Sequence, residues 1–258
     1  MNAVPGRGLP MTEAGRIAAL EAELAALRAE MQAFTATVSH DLRAPLRHIV
    51  SYVQIVQEDA GPQLDAEVQG FLATISDSAR HMGLLLDGLA GLARVGAAPL
   101  TLAAVPLQPM VDAVAAELAA QQPLRMVDWH IARDLPVVLA DAVLLRQVLV
   151  QVLGNAVKFS APRARAQIDV TAAPAAEAQG VVLQVRDNGV GYNPAMQAKL
   201  FQVFGRLPGA KPFDGLGLGL ATARKILQRL GGSVAAQGAP DAGCCVTLTL
   251  PAAPADAL

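Results

Sequence analysis

From Ile17 the apolar residues fall at Ile17, Leu20, Leu24, Leu27, Met31, Phe34 and Val38, with Glu and Arg between them. Alternating steps of three and four are the a/d seam of a coiled coil. A lone helix cannot bury that stripe, so the spacing predicts a partner helix, most simply from a second copy lying parallel. The seam continues at Leu42, Leu46, Ile49, Val53 and Val56, where two successive steps of four form a stutter. Pro45 lies inside the stutter and removes a helical hydrogen bond there. His40 falls off the seam at this irregular point and is expected to face solvent. Asp59-Ala60-Gly61-Pro62 is a turn signal. A second amphipathic helix follows, marked by Val68, Leu72, Ile75, Ala79, Met82, Leu86 and Leu89. Two long helices joined by a short turn predict an antiparallel hairpin, and two chains a four-helix bundle.

After Gly96-Ala97-Ala98-Pro99, which reads as a linker, the pattern becomes mixed. Strands are predicted over 100–106, 165–172, 181–186, 232–236 and 244–250, with short apolar runs over 126–131 and 136–139. Helices are predicted over 109–121, 142–159 and 216–230. This grouping points to a two-layer α+β domain. Residues 191–215 carry Pro194, Pro208, Gly209 and Pro212, too punctuated for long elements, and read as a mobile lid. The predicted organisation is therefore multidomain. A flexible N-terminus covers 1–12 and a coiled coil covers 13–38. An all-α hairpin follows over 30–95, a linker over 96–99 and an α+β domain over 100–254.

Composition narrows the function classes. Twenty Lys and Arg against 22 Asp and Glu leave a net charge of −2. Neither nucleic acid nor an anionic membrane is therefore an expected partner. Mean hydropathy is high at +0.38, but much of it is alanine, which favours helix and buries little area. No run reaches the ~18 consecutive apolar residues of a membrane span, and MNAVPGRGLP has no apolar signal core. The only cysteines, Cys244 and Cys245, are adjacent; on a strand they point to opposite faces and make neither a disulfide nor a metal site. The expected location is the reducing cytoplasm. The four histidines lack metal-ligand spacing, so no zinc site is expected.

Three features carry chemistry. Asp187-Asn188-Gly189-Val190-Gly191 follows a predicted strand, placing a carboxylate beside glycines that let backbone approach a flat ligand. Gly215, Gly217 and Gly219 precede or open a helix, where exposed amides suit phosphates. On the 142–159 helix, Gln151 and Asn155 share a face and Lys158 lies one turn on. A neutral amide oxygen there can ligate Mg²⁺ while a nucleotide supplies the negative charge.

Taken in order with the upstream histidine, these segments resemble the motifs of two-component sensor histidine kinases. Ser39-His40-Asp41-Leu42-Arg43-Ala44-Pro45-Leu46-Arg47 resembles the H box, and its wording is close to kinases of the phytochrome-associated kind. Residues 147–160 resemble the N box, Asp187–Gly191 the first glycine box, Phe201–Phe204 the F box and Asp214–Leu220 the second glycine box. The likeness runs from about residue 30 to 251. It implies a dimerisation and phosphotransfer hairpin followed by a Bergerat-type ATP-binding domain, with ATP and Mg²⁺ as cofactors. It also implies a homodimer and a response regulator receiver domain as partners.

Carried over residue by residue, the resemblance makes His40 the phosphoacceptor and Asp41 the group that orients its ring and accepts its proton. Asn155 would ligate Mg²⁺ and Lys158 would contact phosphate. Asp187 would take the adenine amino group, with Gly189 and Gly191 allowing close approach. Gly215, Gly217 and Gly219 would line the phosphates. Gln151 stands where the family usually has Asn, Leu216 where a small or polar residue is commoner, and Ala44 where many relatives carry Thr or Asn to position water for dephosphorylation.

Alternatives follow from the same residues. A hydrolytic ATPase of the gyrase and chaperone type needs a glutamate base at the position of Gln151, whose amide accepts no proton at neutral pH. A catalytically weak scaffold that binds a regulator through the hairpin is the third reading. His48 is expected to be a partner-facing surface residue, as are Ser51, Tyr52 and Gln54. His81 and His130 are read as surface or edge histidines and Trp129 as a packing residue. Phe201 and Phe204 are read as core or as lid anchors. Too few residues precede the heptads for a sensor domain. The signal is therefore expected from a separate protein through the coiled coil, unless the chain is a piece of a longer one.

Overall fold

The computed structural model describes residues 12–97, 99–175, 180–208, 213 and 215–254. The chain divides into two units, residues 1–97 and 98–258.

The first unit is a helical hairpin, as the heptads predict. Helix α1 runs from Glu13 to Ala60 and is started by Thr12, whose hydroxyl accepts the Gly15 N–H at 3.3 Å. It continues through Pro45 without a break. A 3-10 turn at Gly61–Gln63, with Pro62 near its start, reverses the chain, and helix α2 spans Ala66–Ala97. It thus runs two residues into the stretch read as a linker. Val53, Ala79, Ala90 and Val95 are buried in the hairpin, as are Ser39 and Ser76. Across it, Ser39 Oγ donates to the Leu86 carbonyl at 3.5 Å and Arg43 pairs with Asp87 at 2.7 Å. The seam residues Ile17, Leu20, Leu24, Leu27, Met31 and Phe34 remain 46–66% exposed, a stripe that the described residues of the hairpin leave uncovered.

The second unit is a two-layer α+β sandwich. Strands β1 (Ala103–Pro106) and β3 (Val137–Ala140) form a small antiparallel ribbon. Strands β2 (Val127–Ile131), β4 (Ala166–Pro174), β5 (Gly180–Asp187), β6 (Ser233–Gly238) and β7 (Cys244–Pro251) form a mixed sheet in the order β2-β4-β5-β7-β6. Among the described residues only β2 and β4 pair in parallel. Period-2 alternation puts Ile168, Val170, Leu183, Val185, Val246 and Leu248 on the buried face. Helices α3 (Leu107–Gln121), α4 (Ala142–Phe159) and α5 (Gly219–Arg229) cover that face.

Helix α4 has the predicted bounds. Asp141 caps it by accepting the Val143 and Leu144 N–H groups at 3.0 and 3.1 Å. It is the one described helix long and apolar enough to cross a membrane. Here Leu145, Val148, Leu149, Val152, Leu153, Ala156 and Val157 are instead buried in the core. Trp129 on β2 shares a register position with buried Ile168, and its indole N–H is buried without a hydrogen-bond partner.

In the second unit three elements start two or more residues from the predicted position. Ladder pairing confines β1 to four residues. Helix α3 begins at Leu107 because Pro109 falls in its first turn, where its missing N–H costs nothing. Helix α5 begins at Gly219 rather than Leu216, since Gly215 and Gly217 have φ of +129° and +72°, outside any right-handed helix.

Candidate active site

The exposed imidazole sits where the stutter predicts. On α1, His40 and Asp41 side chains are 82% and 70% exposed, and Nδ1 of the ring lies 3.1 Å from Asp41 Oδ1. Adjacent helix positions diverge by ~100°, yet the two side chains meet. With Nδ1 engaged, Nε2 is the ring nitrogen left for an incoming group. Pro45 has no N–H to give the Asp41 carbonyl four residues back, so the helix lacks one hydrogen bond beside His40. Ala44 offers no polar side-chain atom near this turn. His48, Ser51, Tyr52 and Gln54 are exposed further along the same helix.

In the second unit, the two glycine segments and α4 come together. Asp187 ends β5 and is buried, which pushes its carboxyl up to about 6 against the lowering effect of its backbone hydrogen bonds. Oδ1 accepts the Gly189 N–H at 2.8 Å and the Cys244 N–H at 3.3 Å. Gly189 packs too tightly for a side chain: a Cβ there would lie 2.5 Å from the Phe159 carbonyl oxygen. A Cβ on Gly191, at φ +62°, would come closer still to the Ala239 carbonyl oxygen. The segment is tied down from several sides. Val190 N–H donates to the Phe159 carbonyl at 3.1 Å, and Asn188 exchanges side-chain bonds with the Gln167 N–H and the Arg165 carbonyl.

The second glycine segment meets α4. A Cβ on Gly215 would lie 3.4 Å from Lys158 Nζ, and one on Gly219 would collide with Gln151 Oε1. Lys158 also lies over the Phe159 ring, 4.4 Å from its centroid, and that ring packs edge-on against Phe213 at 5.0 Å. Asn155 is half-buried one turn after Gln151. Asp214, the first residue of this segment, lies outside the described residues, as do residues 209–212 of the stretch read as a lid. Phe201 is half-buried and Phe204 exposed. Among the described residues no three His, Cys, Asp or Glu side chains cluster as a metal site.

His81 is exposed, and His130 lies on edge strand β2, paired with Asp169 at 2.8 Å. Cys244 faces Asp187 across the β5–β7 ladder, and burial with neighbouring Asp187 and Cys245 pushes its thiol up to about 12. Sequence reasoning does not find Arg163, which bonds to the first glycine segment, or Gly243, whose φ of +75° lets it pass against the Asp187 carbonyl. The Asp-Ala-Gly turn before β7 is the only signal for the latter, and none marks the former.

Comparison with known proteins covers the two segments that carry these residues. Residues 30–98 match the family model of the His Kinase A phospho-acceptor domain. Residues 140–254 match that of the histidine kinase-, DNA gyrase B- and HSP90-like ATPases. The methanogenesis regulatory histidine kinase FilI of Methanothrix harundinacea is 31% identical over 89% of this chain and 25% of its own length. Cyanobacterial phytochrome A of Nostoc sp. is 27% identical over 93% of this chain and 31% of its own. The chain thus spans about a quarter to a third of these relatives. A crystal structure of full-length ShkA in complex with AMPPNP superposes with a TM-score of 0.60 at 30% identity, covering 86% of this chain and 46% of that one. With a phospho-acceptor hairpin and an ATPase-type sandwich in sequence, the chain belongs to the two-component sensor histidine kinase family.

Proposed function

We propose that the chain binds ATP in its second unit, phosphorylates His40 and passes the phosphoryl group to an aspartate of a response regulator receiver domain. The observation that supports this most directly is the solvent-facing His40 ring with Nδ1 held by Asp41, which orients Nε2 as the nucleophile. The AMPPNP complex of ShkA supports an adenine nucleotide as ligand.

Each residue's chemistry suits its part. Asp187 spends Oδ1 on two backbone amides and keeps its other oxygen for the adenine amino group. Gly189 and Gly191 let the segment pack against the Phe159 and Ala239 carbonyls, which fixes the backbone beside which the purine would lie. Gly215, Gly217 and Gly219 present amides at the α5 N-terminus, and Lys158 adds charge, for the phosphates. Asn155 supplies a neutral amide oxygen where no acidic cluster gathers among the described residues. That donor set fits Mg²⁺ arriving with the nucleotide, whose charge it offsets. In the transfer, Nε2 forms a bond to the γ-phosphorus as the bond to the β–γ bridging oxygen breaks and ADP leaves. Asp41 stabilises the imidazolium and takes its Nδ1 proton. A receiver carboxylate then displaces the imidazole.

Gln151 cannot activate water as a base, which favours transfer over hydrolysis. The exposed seam between Ile17 and Phe34 is read as the contact of a parallel homodimer and as the route by which a separate sensor protein signals. Incubation with labelled ATP and Mg²⁺ tests the reading: acid-labile, alkali-stable label is expected on the wild type and absent from His40→Gln. Free phosphate without bound label supports the ATPase, and neither label nor ATP binding supports the scaffold. Ala44 predicts weak phosphatase activity, so a phosphorylated cognate regulator should keep its phosphate in the presence of this chain. Rapid loss that survives His40→Gln refutes that prediction.

A further inference from the structure

Arg163 lies in the α4–β4 connection, outside every motif that carries the family resemblance. Its guanidinium gathers three backbone carbonyls from two other segments. Nε donates to the Asn188 carbonyl at 2.8 Å, and one Nη donates to the Gly189 carbonyl at 2.9 Å and to the Asp241 carbonyl at 2.9 Å. The Asp241 carboxylate lies 3.5 Å from the same nitrogen.

The first of these bonds bears on the site. The peptide unit joining Asn188 to Gly189 is planar, so its carbonyl and its N–H turn together. Arg163 holds the carbonyl end of that unit; its N–H end donates to Asp187 Oδ1. The second bond holds the next carbonyl, and the third anchors the assembly to the β6–β7 turn. That turn binds back through the Asp241 N–H to the Val190 carbonyl at 2.8 Å. Asp187 is buried and leans on these amides for its orientation. Rotation of the 188–189 peptide would cost it one of them.

We infer that Arg163 is a positioning residue for nucleotide recognition: it locks the 188–189 peptide and thereby aims the free oxygen of Asp187 at the purine. The planar fork, with several donors in fixed directions, suits three converging carbonyls in a way a lysine ammonium does not. The proposal rests on the ATP-binding reading above.

The test uses the full chain and compares Arg163→Met and Arg163→Lys with wild type, by calorimetric binding of ATP and of GTP and by autophosphorylation kinetics. For Arg163→Met the expected result is a KM and a Kd for ATP raised about tenfold, with kcat at saturating ATP within twofold of wild type. The preference for ATP over GTP should shrink, because the misaimed carboxylate no longer selects the adenine amino group. Arg163→Lys, which keeps the charge and one donor direction, should fall between the two. A general loop staple would lower the melting temperature of the unliganded chain and weaken both nucleotides alike; that result overturns the proposal. Unchanged ATP affinity, or a fall confined to kcat, overturns it also. Should Arg163→Met not fold, Arg163→Lys with wild-type ATP affinity and selectivity overturns it. Failure of the wild type itself to bind ATP removes the nucleotide reading first.

Discussion

At the scale of single residues, burial of Asp187 makes the stability of the fold depend on pH. A carboxyl raised from 3.8 to about 6 means that the folded state holds a proton that the unfolded chain has released. Stability from this group is present below the unfolded value and lost as pH rises through about 6, by about 3 kcal/mol at most from the shift at 1.36 kcal/mol per unit. Asp187→Asn keeps an oxygen for the Gly189 N–H and removes the charge. It is expected to melt higher than wild type at pH 7–8 without nucleotide, with the gap closing towards pH 4, and to lose ATP binding throughout. Differential scanning calorimetry over that range checks both. Asp187 was legible as a carboxylate at a strand end beside two glycines. Arg163 was not, because its acceptors are backbone carbonyls 25, 26 and 78 residues away, which no local pattern encodes. Cys244 was legible as a strand residue, but its amide contact with Asp187 follows from cross-strand register alone.

Among the elements, legibility follows how strongly each is determined locally. Helix α4 has its predicted bounds, where an Asp cap and seven inward apolar positions agree. The sequence pattern places the start of helix α5 three residues early because its apolar spacing continues back through glycines whose left-handed φ only tertiary contact enforces. In α1 the interior proline costs up to about 3 kcal/mol relative to alanine. Pro45→Ala restores a donor for the Asp41 carbonyl and is expected to raise the melting temperature of the hairpin. It should also slow autophosphorylation, because the turn carrying His40 becomes a regular helical one. Circular dichroism melting and labelled-ATP assays measure the two effects, and unchanged labelling would show that the proline matters only for stability.

For the whole molecule, the seam of α1 from Ile17 to Phe34 stands exposed among the described residues. Two copies meeting along it would bury those side chains at about 1.5–3 kcal/mol each, before ordering costs. Leu24→Glu places a charge at the middle of that contact and is expected to shift the chain from dimer to monomer in sedimentation equilibrium while leaving ATP binding intact. The two-unit division was visible in the sequence as a change of period. Trp129, the sole tryptophan, belongs to the sandwich and none to the hairpin. Its fluorescence therefore watches one half of the chain melt, whereas far-ultraviolet dichroism sums both. Denaturation curves followed by the two signals should separate if the halves unfold independently, giving a built-in gauge of how tightly they cooperate.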